Sequence, residues 1–290
     1  MNERASLSPA SSLENRRKDR SPVAILAGLM GLLILAASPL TPLRAEVSKE
    51  RFDTVVIDAG HGGEDTGARS PDGLSEKDVV LEVTQRLAGR LRKSGLNVAL
   101  TRSGDEFVPL EVRTAIANEA GGDLFISIHA NSARNTKAHG IETYFVSLEA
   151  SDEGAKQVAE RENDAFERTG ARVGQGQDPL VALLGDMIVT EHLRESSEFS
   201  KLVQAQLIET TGGGSRGVKQ APFVVLMGVQ MPASLIEIGF LSNRGDVKSL
   251  SKKRHLEALV EGVARAVEAF RKRYDARRGV GPDGSVLRSN

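Results

Sequence analysis

Apolar positions recur along this chain with two different spacings. Short, nearly continuous runs occur at Asp53–Asp58 (DTVVID, leading to Gly60), Leu96–Thr101, Asp123–His129 (DLFISIH) and Gly140–Ser147 (GIETYFVS). Between them lie segments whose apolar residues fall at helical intervals. Lys77–Ser94 places Val80, Leu81, Val83, Leu87 and Leu91 in this way and is stopped by Gly95, as by a C-terminal cap. Pro109–Ala120 reads as a second helix. Further on, Pro222–Leu226 and Ser234–Ile238 read as strands. Lys252–Tyr274 reads as a closing helix with Leu256, Leu259, Val263, Val267 and Phe270 on one face. The alternation predicts an α/β fold, with a mixed, mostly parallel central sheet flanked by helices.

Two stretches break that alternation. Residues 152–210 are long, charged and mainly helical in pattern, interrupted by a loop at Gly170–Pro179, and read as a helical insertion. Residues 276–290 are rich in Arg, Gly and Ser and read as a disordered tail.

Composition narrows the chemistry. At 290 residues and 40% hydrophobic content there is material for one good-sized core, and a net charge of -1 gives no basis for a nucleic-acid partner. The chain has no Cys, which excludes disulfides, thiolate metal sites and a Cys nucleophile, so any metal must be held by carboxylates and the five His. At the N-terminus, Arg16, Arg17, Lys18 and Arg20 precede an apolar run from Val23 to Ala37, then Pro39, Pro42 and Ala45. Residues 1–45 read as a signal peptide, since the run is shorter than the roughly 20 residues of a membrane-spanning helix. The expected location is the periplasm or the cell envelope. Leu43 makes the cleavage site imperfect, so a retained membrane anchor stands as the alternative, and the paired Arg16 and Arg17 leave both Sec and twin-arginine export open.

Candidate chemistry gathers at strand ends. In VVIDAGHGGEDTGA, His61 directly follows a buried strand in a turn lined by Gly60, Gly62 and Gly63, where backbone and substrate can approach closely. DLFISIHAN ends a second strand on His129, and sites in such sheets form at the C-terminal ends of strands. A catalytic zinc takes three protein ligands, and Glu76 in GLSEKD is the third candidate, with helix capping as its alternative role. In MPASLIEIGFLSN, Glu237 interrupts a buried strand; such a carboxylate is either paired with a cation or placed at a functional edge as a proton acceptor of raised pKa.

Six segments, VVIDAGHGG, GLSEKDVVLEV, LTRSGDEFVPLEVRTAIAN, DLFISIHAN, RGVKQAPFVVL and MPASLIEIGFLSN, occur in the order found in one family. Over about Asp53 to Phe270 the chain resembles the zinc-dependent N-acetylmuramoyl-L-alanine amidases, in particular the division-associated bacterial cell-wall amidases. The resemblance implies that residues 46–275 form an amidase catalytic domain, that His61, Glu76 and His129 bind Zn2+, and that Glu237 is the catalytic glutamate. It implies hydrolysis of the amide between N-acetylmuramic acid and L-alanine of peptidoglycan, for wall remodelling and daughter-cell separation. Residue chemistry alone reaches a zinc hydrolase of an amide-like bond, leaving open another amide substrate or a wall-binding protein without turnover. Asn131 and Arg113 match family positions near the cleft, with a structural role as the alternative. Glu64 and Asp65 read as solvated groups or supports for His61, and His139 and His255 as surface residues.

The insertion carries one further candidate. Leu180, Leu183, Leu184, Met187 and Ile188 share a helical face that Glu191 continues. Either the face ends there, or a helix at about 170–196 covers the cleft near the active site and offers Glu191 to the zinc as an autoinhibitory ligand. The resemblance implies such a helix, relieved by a LytM-type activator protein. It does not extend to septal targeting, because no wall-targeting domain fits between the leader and Asp53.

Overall fold

A computed structural model describes residues 51–168 and 190–281, apart from the side chains of 165–168, 190 and 191. Residues 1–50, with the expected signal peptide at 1–45, the stretch from 169 to 189, and residues 282–290 of the expected tail lie outside the described residues. No helix among those described is long and apolar enough to cross a membrane.

The six strands are β1 (Thr54–Ala59), β2 (Asn97–Leu100), β3 (Leu124–Asn131), β4 (Ile141–Val146), β5 (Ser215–Ala221) and β6 (Ala233–Phe240), in the sheet order β2-β1-β3-β6-β4-β5. All pairings are parallel except β4 with β6. The sheet is therefore mixed and mostly parallel. β3 and β6 are buried at every residue, which explains why they read as continuous apolar runs rather than alternating ones.

Helices cover both faces. On one face Val55, Ile57, Ile126 and Ile236 meet α1 (Glu76–Lys93), α4 (Thr190–Thr211) and α7 (Lys253–Arg277), with Val80, Leu87, Phe199, Val203, Val263 and Phe270 completing the core. On the other, Val56, Phe125 and Leu235 meet α2 (Leu110–Glu119), α3 (Glu153–Arg168) and α5 (Val224–Met227). The insertion thus supplies one helix to each layer.

Three expectations need correction. Pro222–Leu226 is not a strand: Val224–Met227 form the short helix α5, and the strand is the polar segment Ser215–Ala221 before it. β5 pairs on one side only, with β4, so it needs little apolar sequence, whereas the apolar run packs wholly into the second core as a helical turn. The start of the presumed disordered tail is ordered. α7 runs to Arg277, Arg277 and Arg278 donate to the buried Glu195 of α4, and Val280 is buried. His255 is half-buried rather than a surface residue. A further helix, α6 (Arg244–Leu250), starts where the Asn243 side chain accepts from the Gly245 and Asp246 amides.

Beneath the C-terminal end of β1 lies a buried ionic cluster. Asp58 Oδ1 accepts from Arg113 Nη1 at 2.7 Å and from Thr101 at 2.6 Å, and Oδ2 from Ser127 at 2.7 Å. Burial opposes ionisation, but the Arg113 charge and these hydroxyls hold the Asp58 pKa below its usual value. A depressed carboxylate contributes stability above its unfolded pKa and loses it as pH falls through the folded one. Asp58→Asn leaves the Arg113 charge unpaired, so urea unfolding at neutral pH should show a loss of about 3 kcal/mol. A loss under about 1 kcal/mol would mean that Arg113 finds compensation elsewhere.

Candidate metal centre and active site

The site is built on the turn after β1. His61 has a φ of 60°, a left-handed conformation that few non-glycine residues adopt. Two buried guanidiniums hold it there. Arg113 donates to Ala59 O at 2.6 Å and His61 O at 2.8 Å, while Arg102 donates to Ala59 O at 2.9 Å and Gly60 O at 2.8 Å. Three successive carbonyls are thereby turned inward, and the imidazole points toward the strand ends. Asp65 Oδ2 lies 2.9 Å from His61 Nδ1, which leaves Nε2 for the site. Glu64 is exposed.

His129, near the end of β3, brings its ring centroid to 5.0 Å from that of His61. Glu76 opens α1 but caps nothing in it. Its Oε1 accepts from Ala130 N at 2.8 Å and its Oε2 from Ala68 N at 2.9 Å, which turns the carboxylate toward the two rings. The parallel register of β3 with β6 then sets Glu237 directly beside His129. All four residues singled out in the sequence therefore meet at one sheet edge.

A fourth ligand candidate was not anticipated. Glu162, on α3, places Oε2 2.8 Å from His129 Nδ1 and 3.2 Å from His61 Nε2. One ligand atom from each of His61, Glu76, His129 and Glu162 lies within 4.8 Å of the others. Glu191, the expected acid, stands at the second residue of α4, and its side chain lies outside the described residues. The signal for Glu162 was present in the sequence. It continues the stripe Ala155, Val158, Ala159 at helical spacing, as a carboxylate on an apolar face, but the charged neighbours Glu160 and Arg161 obscured it.

Neighbouring residues dock α3. Arg161 donates to Ser132 O at 2.7 Å and to Asn131 Oδ1 at 2.9 Å. Asn163 donates to Pro222 O at 2.8 Å and accepts from the Val224 amide at the start of α5.

The donor set fits a divalent cation. His61 Nε2 and Glu162 Oε2 are buried, lie close together and yet make no hydrogen bond of acceptable direction, as expected for atoms aimed at a common centre rather than at each other. Nitrogen and carboxylate donors suit zinc. The space is kept by glycines: a Cβ on Gly60 would stand 2.4 Å from His129 Cε1, and one on Gly67 would stand 2.6 Å from Glu76 Oε2 and from His61 Cδ2.

Electrostatics agree. Burial favours neutral imidazoles, but Glu162 and Glu76 outweigh it at His129, whose pKa rises to about 10, and His61 is likewise raised well above its usual value by Glu76, Asp65 and Glu162. Glu76 is driven down to about 2, chiefly by His61 against the cost of burial. Glu237 behaves in the opposite way. It is 0% exposed, neither carboxylate oxygen has a hydrogen-bond partner, and burial, with Glu162 and Glu76 nearby, lifts its pKa well above the usual range.

Comparison with known proteins agrees with this geometry. Residues 55–269 match the family described as N-acetylmuramoyl-L-alanine amidase. The chain is 36% identical over 217 residues to the N-acetylmuramoyl-L-alanine amidase AmiA of Escherichia coli (strain K12), covering 74% of this chain and 75% of that one. It is 32% identical over 234 residues to AmiC of Neisseria meningitidis serogroup B, covering 81% of this chain and 56% of that protein, so it spans about half of the latter. Among solved structures, the amidase AmiC2 of Nostoc punctiforme superposes with a TM-score of 0.58 at 28% identity, over 75% of this chain and 96% of that one. With the family's match across most of its length and the site assembled at its sheet edge, the chain belongs to the N-acetylmuramoyl-L-alanine amidases, hydrolases of peptidoglycan.

Proposed function

We propose that the chain is a zinc-dependent amidase of the cell envelope in which His61, Glu76 and His129 hold the metal, Glu237 moves the proton, and Glu162 closes the site in a resting state. The observation that carries this reading is the convergence of two imidazoles and two carboxylates within 4.8 Å, beside a buried glutamate of raised pKa. When bound, zinc supplies a Lewis acid that activates water near neutral pH and polarises the carbonyl joining N-acetylmuramic acid to L-alanine. Glu237 accepts the proton of the attacking water and returns it to the leaving alanine nitrogen, and the raised pKa that burial and the neighbouring carboxylates give it strengthens it as a base. Asp65 keeps the His61 ring oriented through Nδ1. The carbonyls of the turn at residues 59–61 accept from Arg102 and Arg113, which hold the turn in place.

Glu162 stands where a substrate carbonyl or water has to come. Substrate entry therefore requires the C-terminal part of α3 to withdraw, and a LytM-type activator that frees Arg161 and Asn163 from their docking partners would do this. Export to the periplasm and a part in daughter-cell separation complete the reading, on the basis of the leader and the family.

Three variants test the assignments. Glu237→Gln should lower kcat on purified sacculi by about 10³-fold with metal content unchanged. Undiminished turnover would remove Glu237 from the reaction. Glu162→Ala should raise release of dye from labelled sacculi several-fold in the absence of any partner, and a rate equal to or below that of the parent chain would end the resting-state idea. Gly60→Ala, which drives a methyl group into the His129 ring, should weaken metal retention in a chelator competition by at least about tenfold, in the range of changes that disturb the orientation of a metal ligand. Retention equal to that of the parent would show that His129 is not a ligand.

A further inference from the structure

A cavity of about 1000 Å3 opens between α3 and the far strands of the sheet, lined by neighbours of the site residues rather than by Glu237 or the metal-ligand candidates themselves. Its β-side wall includes Asn131, Glu142, Arg216 and Phe240, and its α3 wall carries Glu153 and Glu160. Glu142 lies opposite Glu237 in the β4–β6 register, and Asn131 lies two residues beyond His129, so the cavity adjoins the reacting centre on the side of Glu237.

That side has a chemical meaning. The group that returns a proton to the leaving nitrogen must stand beside it, so the peptide released by cleavage extends from the metal ligands past Glu237. The glycan remains on the opposite side. Two side chains in the cavity are prepared for a peptide. Arg216 donates through Nε to Glu142 and stacks its guanidinium 5.0 Å from the Phe240 ring centroid, a fixed and partly exposed fork whose remaining N–H groups suit a carboxylate. Asn131 is only 2% exposed, and its Oδ1 accepts from Arg161. A guanidinium only donates, so the amide orientation is set, and Nδ2 is left buried without a hydrogen-bond partner. Withdrawal of Arg161 with α3 would free both ends of the amide, so Asn131 remains available in an open site as well.

We infer that this cavity is the subsite for the peptide arm and that it takes an acidic peptide, with Asn131 Nδ2 donating to a backbone carbonyl next to the scissile bond and Arg216 pairing with the carboxylate of the residue after alanine. The charge layout favours this polarity, because Arg216 and the exposed Arg134 outnumber Glu142 on one wall, while on α3 Glu153, Glu160 and Asp164 outnumber Arg161. An anionic group is steered to the β5 side. The inference rests on Glu237 being the proton carrier, as proposed above.

The test uses the zinc-loaded full chain and two soluble muramoyl peptides that differ only in the residue after L-alanine, one with a free carboxylate and the other with its primary amide. The expected result is kcat/KM about tenfold higher for the acid than for the amide. Arg216→Gln should lower kcat/KM on the acid about tenfold, mainly through KM, and bring the ratio close to one. A resting fraction closed by Glu162 slows both substrates alike and cancels from the ratio. A parent ratio near one overturns the inference without any variant, and so does a ratio that survives in a folded Arg216→Gln protein. Hydrolysis that persists in Glu237→Gln would instead sink the proton-carrier reading, so the two failures are distinguishable.

Discussion

The turn that carries His61 depends on a buried charge beneath it. A left-handed residue flanked by glycines has little to hold it in place, and the chain supplies the restraint from below. Asp58 pins Arg113, Arg113 and Arg102 take up the carbonyls of residues 59–61, and the imidazole is left facing the ends of β3 and β6. The guanidinium fork matters because one side chain bonds several carbonyls in a fixed geometry, which a lysine ammonium cannot reproduce. Arg113, left between a cleft role and a structural one by sequence, acts on the cleft through structure.

The same edge concentrates negative charge. Glu76, Glu162 and Glu237 are all buried there, compensated by the two imidazoles and by Arg161, which lies 3.2 Å from Glu162. The crowding shows in each of these groups: both histidines are pushed up, Glu76 and Glu162 down, and Glu237 well up. A divalent cation held by these groups would offset the carboxylates directly, and its charge would lower the Glu237 pKa.

Much of this was legible in the sequence, and the reasons are specific. β3 and β6 announce themselves because burial on both faces makes them continuous apolar runs, so His129 and the interrupting Glu237 stood out. β5 did not, because an edge strand needs no apolar pattern, and the helical turn at Val224–Met227 took its place in the reading. Glu162 was hidden for a different reason. Position on a helix face is readable from spacing, but which helix reaches the site depends on tertiary packing, and Ala155, Val158 and Ala159 form a narrow stripe among charges. Glu191 followed a broader stripe and drew attention away from it. The ordered start of the tail depended on a distant partner, Glu195, that no local pattern reveals.

The facing strands β4 and β6 show most directly how environment assigns a role to a residue type. Glu142 and Glu237 are the same residue, in register across the sheet and both buried. Glu142 is surrounded by donors: Arg216, Lys219 at 3.6 Å and the Tyr144 hydroxyl. Both of its oxygens are engaged, and it serves as a fixed anchor for the side chains around the cavity. Glu237, one strand over, has neither oxygen bonded and faces two other carboxylates, so burial and their charges make it the acid of the cluster that holds its proton most strongly. Two identical acids are thus set apart by what stands next to them: one is enclosed by donors that bind both of its oxygens, and the other is left unbonded among carboxylates.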